Sequence, residues 1–108
     1  MSYKIELTPN FKKEAKKLIK RYVSLRTEIA DLGKELAENP KIGTHLGNDV
    51  YKIRIAIASK NKGKSGGARI ISFVKIIDDT VFLLSIYSKS EKDTISDKEI
   101  EELLKGYS

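Results

Sequence analysis

The chain has 108 residues, of which 40% are hydrophobic and 33% charged, and its formal net charge is +6. This length fits one folded domain over residues 1–108, and no apolar run approaches the ~20 residues of a membrane-spanning helix, so we expect no membrane partner. The sequence has no cysteine, which excludes disulfides, thiolate nucleophiles and cysteine metal sites and fits a reducing compartment such as the cytoplasm.

The N-terminal part predicts a strand followed by two helices. Tyr3–Leu7 (YKIEL) alternates apolar and polar residues, as a short strand does. A Thr-Pro pair then marks the start of a helix over 9–22, with apolar residues at helical spacing on one side and five lysines on the other. A second amphipathic helix spans 24–38 and ends before Pro40. The short join between the two helices predicts an antiparallel helical hairpin.

The middle of the chain predicts a strand and a flexible basic loop. Residues 49–58 alternate, so that apolar side chains point to one face while Lys52 and Arg54 point to the other. The segment 59–67 follows, rich in lysine and glycine. Its glycines would let the chain bend and approach another backbone closely.

The C-terminal part predicts two more strands and a helix. Residues 68–77 form a strand with Arg69 on the face of its apolar neighbours, a tight turn follows at 78–79, and 80–87 is apolar enough for a central strand. The last helix opens with a capping box of Ser96 and Glu99.

We therefore predict an α+β fold with the order β-α-α-β-β-β-α. The three later strands form an antiparallel meander, and the helical hairpin covers one face of the sheet. The other face stays partly polar, and Lys52 and Arg54 stand on it.

The positive charge is concentrated in the middle of the chain. Residues 50–77 carry seven lysines or arginines and no acid, whereas residues 78–108 carry four basic and eight acidic residues. A segregated positive field favours a polyanionic partner such as nucleic acid or an acidic protein segment. Three lysines of the loop are predicted to contact RNA phosphates without reading sequence: Lys60, Lys62 and Lys64.

The available side chains narrow the chemistry. The single histidine, His45, excludes a two-histidine ribonuclease. No histidine and carboxylate cluster has metal-ligand spacing, so we expect neither a metal nor a cofactor. Catalysis by cations remains, because guanidinium groups match phosphate geometry and stabilise the charge of a phosphoryl-transfer transition state.

Three segments in the expected order resemble the RelE/ParE superfamily of toxin–antitoxin toxins, and most of all its HigB and RelE members. These segments are YKIR (51–54), KGKSGGARIISF (62–73) and LLSIYSKSE (83–91). The resemblance covers nearly the whole chain. It implies a RelE-like fold, a separate antitoxin as partner, and a toxin that arrests growth.

The resemblance also implies an activity and a site. RelE-type toxins are metal-independent mRNA endonucleases that cut on the ribosome, where the ribose 2′-OH attacks the adjacent phosphate. Lys52 and Arg54 match the paired basic residues of the family, Arg69 matches the arginine that braces the phosphate, and Lys89 falls at the basic position after the fourth strand. The position of the family's catalytic tyrosine holds Ile95, which leaves Tyr87 as a possible substitute.

Other interpretations remain open. The chain could be a ParE-type inhibitor of DNA gyrase, or a relative that binds RNA without cutting it. Each site residue also has a structural alternative: a solvated strand face for Lys52 and Arg54, a cross-sheet salt bridge for Arg69, and a surface ion pair with Glu91 for Lys89.

Overall fold

The computed structural model describes residues 2–60, 66–92 and 94–108, with the backbone alone for Lys60. Helix α1 (Pro9–Arg21) and helix α2 (Leu25–Glu38) form the predicted hairpin. Thr8 caps α1 as expected, because its hydroxyl accepts from the backbone N–H of Phe11 at 3.2 Å. Both helices begin and end within a residue of their predicted bounds.

Among the described residues the sheet has five strands, where the sequence predicted four. They are β1 (Lys4–Leu7), β2 (Thr44–Gly47), β3 (Val50–Ile55), β4 (Ala68–Lys75) and β5 (Thr80–Ser88). Their order across the sheet is β1-β5-β4-β3-β2. The predicted meander of β3, β4 and β5 is confirmed, and β1 joins β5 in parallel.

Strand β2 is the element that the sequence reading missed. It forms a hairpin with β3 through Asn48 and Asp49, which both have positive φ, at 53° and 62°. These are the residue types that tolerate the left-handed turn of a two-residue hairpin. The predicted strand over 49–58 was therefore too long, since its first residue belongs to this turn and a 3₁₀ turn begins at Ala58.

One face of the sheet carries the main core. The helical hairpin packs against it, and its cluster includes Phe11, Leu32, Ile53, Ile70 and Leu83, each at most 5% exposed. This is the face to which the alternation of β3 assigns its isoleucines, so that prediction is confirmed.

The second face is partly polar, as the sequence predicts, and it is divided into an apolar end and a basic end. At one end helix α3 (Asp97–Leu104) covers a smaller apolar cluster that includes Ile71, Phe73 and Leu84. The capping box of Ser96 and Glu99 is present as predicted. The other end of this face carries the basic residues.

Candidate active site

Three predicted site residues stand opposite one another on adjacent strands. In the strand register Arg54 of β3 faces Arg69 of β4, and Arg69 faces Tyr87 of β5. Directly opposed residues in an antiparallel sheet have Cα atoms about 4.5–5.5 Å apart and share one face. The pleat places this row on the second face, because Ile53 and Ile70 alternate with it into the main core.

Lys52 and Lys89 lie beside this row. Lys52 precedes Arg54 by two residues on β3 and therefore shares its face, opposite Ile71. Lys89 follows β5, and its backbone N–H donates to the carbonyl of Gly67 at 3.0 Å, two residues before Arg69. We call Lys52, Arg54, Arg69 and Lys89 the basic cluster.

The members of the basic cluster differ in exposure. Arg54 and Lys89 are exposed and Lys52 is half-buried, whereas Arg69 is only 3% exposed. The Arg69 Nη1 group donates to the carbonyl of Ala68 at 3.2 Å. Arg54 and Arg69 thus place two guanidinium side chains directly opposite each other in the strand register, one exposed and one buried.

Tyr87 is part of the core as well as of the row. Its ring packs in the smaller apolar cluster, its residue is 6% exposed, and its hydroxyl oxygen is buried. A substrate in solution therefore does not reach that hydroxyl in this conformation. Lys92 lies over the ring, with Nζ 5.3 Å from the centroid, a distance typical of a cation–π contact.

Lys92 also joins the site to the start of α3. Its ammonium group pairs with the carboxylate of Glu99, which accepts from the backbone N–H of Ser96 at 3.2 Å. Two hydrogen bonds lower the pKa of Glu99 below its ordinary value of 4.5. The bond from the Lys92 ammonium group has the larger effect, and the bond from the Ser96 backbone N–H has the smaller one. The second face thus changes from the basic cluster to helix packing within a few residues.

The predicted RNA-binding loop is anchored at both ends. Ser59 donates its backbone N–H to the Ser24 hydroxyl at 2.9 Å, and Ala58 donates to the Glu28 carboxylate at 2.7 Å. At the other end a Cβ added to Gly67 would lie 2.0 Å from the carbonyl oxygen of Ile55, so the close contact with strand β3 leaves no room for a larger residue there. Lys62, Lys64 and the side chain of Lys60 lie outside the described residues.

His45 lies away from the basic cluster. It belongs to β2 and stands opposite Tyr51, with ring centroids 5.0 Å apart. Tyr51 faces the main core, so His45 points to the opposite face from Arg54. Among the described residues no group of three or more histidines, cysteines or carboxylates could hold a metal ion.

Two polar residues of α1 that touch the site strand were missed by sequence reasoning. Asn10 and Glu14 both bond to β5 near its point of irregular pairing. A signal was available, since Glu14 is the single acid in the helix PNFKKEAKKLIKR. An acid alone among basic residues beside the apolar stripe is a candidate for a specific contact.

The family comparison decides the classification. The family model described as the RelE toxin of the RelE/RelB toxin–antitoxin system matches residues 3–106. The chain belongs to the RelE toxin family.

Solved structures of RelE proteins share this fold. The free E. coli RelE toxin with two arginine-to-alanine substitutions is 22% identical, with a TM-score of 0.67 over 100% of both chains. The intact E. coli RelBE complex is 24% identical, with a TM-score of 0.63 over 81% of this chain and 96% of that one. The Mycobacterium tuberculosis RelBE2 complex is 16% identical, with a TM-score of 0.59 over 82% of this chain and 99% of that one.

At these identities the structures establish the RelE fold. None of the helices in the described part of this RelE-family chain combines the length and apolar character that crossing a bilayer requires.

Proposed function

We propose that this toxin is an endoribonuclease that cuts mRNA on the ribosome in the cytoplasm, without a metal. The observation that carries the proposal is the pair of facing arginines, Arg54 and Arg69, on a stretch that contains no acid. Two lysines adjoin the pair. Lys52 lies on β3 with Arg54, and Lys89 follows β5 and bonds through its backbone N–H to Gly67, two residues before Arg69. Membership of the RelE family supports the same activity.

The proposed reaction is an internal transfer. The ribose 2′-oxygen attacks the neighbouring phosphorus, the bond from phosphorus to the 5′-oxygen breaks, and the products are a 2′,3′-cyclic phosphate and a 5′-hydroxyl. A base takes the proton of the 2′-OH, and an acid supplies one to the departing 5′-oxygen. We assign these proton transfers to Lys52 and Lys89, the two lysines of the basic cluster.

The arginines stabilise the charge that develops on the non-bridging oxygens. Arg54 is exposed and can take a phosphate directly, while buried Arg69 holds a fixed positive charge behind it. A prepositioned group of this kind contributes about 3–4 kcal/mol to the transition state. With its hydroxyl buried, Tyr87 supports the position of Arg69 in this scheme better than it serves as a proton donor.

We further propose that a separate antitoxin holds the toxin inactive through an acidic or amphipathic segment. The two E. coli and M. tuberculosis complexes named above pair a RelE-type toxin with its antitoxin. On this chain an apolar groove of about 620 Å³ lies between α1 and α2. Its floor includes Phe11 and Ile29, and basic side chains line it: Lys12, Lys16, Lys20 and Arg26. An amphipathic helix with an acidic border matches that pattern.

A second candidate is RNA binding without cleavage. The burial of Arg69 and of the Tyr87 hydroxyl favours it, because both would have to reach the reacting phosphate to act on it directly. It retains the basic cluster as a phosphate-binding surface.

Induction of the toxin in growing cells separates these functions. The proposal predicts growth arrest and new mRNA 5′ ends at codon positions of translated messages, mapped by primer extension. Expression without harm and with intact mRNA would favour a non-catalytic binder. DNA damage with intact mRNA would instead identify a gyrase inhibitor, and either result would overturn the proposal.

A further inference from the structure

Strand β5 contains a bulge next to the basic cluster. Ile71 of β4 pairs with Ser85, but its neighbour Ser72 pairs with Leu83, so Leu84 is an extra residue on β5. A bulge of this kind bends the strand and re-aims the side chains that follow it.

The bulge determines which face Tyr87 occupies. Val81 and Leu83 lie in the main core, and strict alternation would carry residue 87 to that same face. After the bulge it is Ile86 that lies in the main core, while Tyr87 lies on the second face, opposite Arg69. The extra residue therefore turns the Tyr87 side chain, and the end of β5 that leads to Lys89, to the side of the sheet that carries Arg54 and Arg69.

Helix α1 holds the bulge in place. Strand β1 pairs with β5 only as far as Leu83, and in the described part of the chain α1 takes over that side of the strand. Asn10 donates its amide to the carbonyl of Leu84 at 3.0 Å. Glu14 Oε1 accepts from the Ser85 hydroxyl at 2.7 Å and from the Ile86 backbone N–H at 3.3 Å.

Glu14 is the centre of this contact. The same Oε1 atom also accepts from the Asn10 amide at 2.9 Å, so one carboxylate oxygen joins the helix to the two residues that follow the bulge. Hydrogen bonds to a charged acceptor are stronger than neutral ones. The Glu14 carboxylate thus supplies the hydrogen-bond acceptor that a neighbouring strand would otherwise provide for the Ile86 N–H.

We propose that Glu14 is a positioning residue for RNA cleavage, which acts by fixing the bulge that places Tyr87 opposite Arg69 and directs Lys89 toward the reacting phosphate. The inference rests on the proposed function. Glu14 itself touches neither the basic cluster nor the substrate in this scheme, because its carboxylate bonds to Asn10, Ser85 and Ile86.

The main test is single-turnover cleavage of ribosome-bound mRNA by Glu14→Ala and Glu14→Gln. Glutamine keeps a carbonyl acceptor at the same place, so its rate should stay within about threefold of wild type, since most of the hydrogen-bond geometry is retained. Alanine should slow cleavage by about 10- to 100-fold at saturating ribosome, because small misplacements of reacting groups have effects of this size. The ribosome concentration at half-maximal rate should not change.

Three controls separate positioning from mere stabilisation. Asp31→Ala removes one exposed acid from α2 and should cleave at the wild-type rate. Ser85→Ala removes a single partner of Glu14 and should give a smaller loss of the same kind if Glu14→Ala does not fold. In a Lys89→Ala background the effect of Glu14→Ala should largely vanish, since residues that act as one unit are not additive.

Amide hydrogen exchange tests the bulge without any activity. The Ile86 N–H should exchange faster in Glu14→Ala than in Glu14→Gln, while amides at the far end of β5 stay unchanged. Wild-type cleavage by Glu14→Ala, or an equal loss in the Lys89→Ala background, would overturn the positioning role. A wild-type chain that cuts no mRNA would instead refute the proposed function, and the exchange result would still decide the role of Glu14 in the bulge.

Discussion

The two faces of the sheet use the same three strands for different purposes. On the first face Ile53 of β3 and Ile70 of β4 pack under the helical hairpin, at 2% and 0% exposure. On the second face their chain neighbours Arg54 and Arg69 stand opposite each other. Because the pleat alternates, one residue step separates a core position from a position in the basic cluster.

This contrast shows where stability and charge are placed. The first face carries the main apolar core, and the second is apolar only where α3 covers Ile71, Phe73 and Leu84. The basic cluster therefore lies between the apolar packing behind it and the apolar packing beside it. Substitutions of neighbouring residues on opposite faces should therefore have different consequences.

The largest effect on stability is expected on the first face. Ile70→Ala should reduce the free energy of unfolding by about 2–5 kcal/mol, because it opens a cavity in a fully buried position. Urea unfolding measures this loss. The fraction that remains folded should bind and cut RNA as before, and a selective loss of cleavage with unchanged stability would contradict the division between faces.

Substitution of Arg69, the chain neighbour of Ile70 on the second face, should lower the rate of RNA cleavage. Arg69→Ala should lower single-turnover cleavage by about 10²- to 10³-fold, because it removes the fixed positive charge behind the reacting phosphate, and the loss of one group that stabilises a developing oxyanion has this size. Arg69→Lys is the matched variant, since it keeps the charge and loses the bidentate fork. It should recover part of the rate, and a wild-type rate in Arg69→Ala would remove this residue from the mechanism.

A smaller effect is expected at the exposed arginine of the pair. Arg54→Ala should weaken RNA binding by about tenfold and reduce the dependence of log affinity on log salt by about 0.7, as for one lost contact to a single-stranded phosphate. Titrations at several salt concentrations measure both values. Lys34→Ala, an exposed lysine of α2, serves as the control with unchanged slope.

The sequence predicted most elements but missed strand β2 and the burial of Arg69. Amphipathic spacing located both helices of the hairpin, and alternation located the face of Lys52 and Arg54, because these signals are local. Strand β2 was not predicted because its residues THLG carry little apolar alternation and its pairing depends on the Asn48–Asp49 turn. The burial of Arg69 was not predicted because it depends on residues that are distant in the chain.

The candidate site shows the same limit. The resemblance of three segments to the family predicted that Arg54, Arg69 and Tyr87 belong to one site before any strand register was known. The register places these residues in one row across β3, β4 and β5. The bulge at Leu84 and its hold by Glu14 could not be derived, since β5 reads as a continuous apolar strand. An extra residue in a strand has no local sequence signal and is visible only against its partner strand.

The smallest predicted effect concerns the packing of α3 on the second face. The pKa of Glu99 is lowered by Lys92 and Ser96, so its contribution to stability is present above pH 4.5 and is lost as the pH falls through the lowered value. The midpoint temperature of unfolding should therefore drop slightly more in wild type than in Glu99→Gln when the pH is lowered from neutral to about 3. Parallel pH profiles for the two proteins would contradict this role of the pair.

The most direct test of the central claim replaces one oxygen in the substrate. Purified toxin is mixed with ribosomes that carry an mRNA with either ribose or 2′-deoxyribose at the nucleotide before the cut. The account predicts cleavage of the ribose message to a 2′,3′-cyclic phosphate and a 5′-hydroxyl, and no cleavage of the deoxyribose message. Equal cutting of both messages would contradict attack by the 2′-OH and with it the proposed role of the basic cluster.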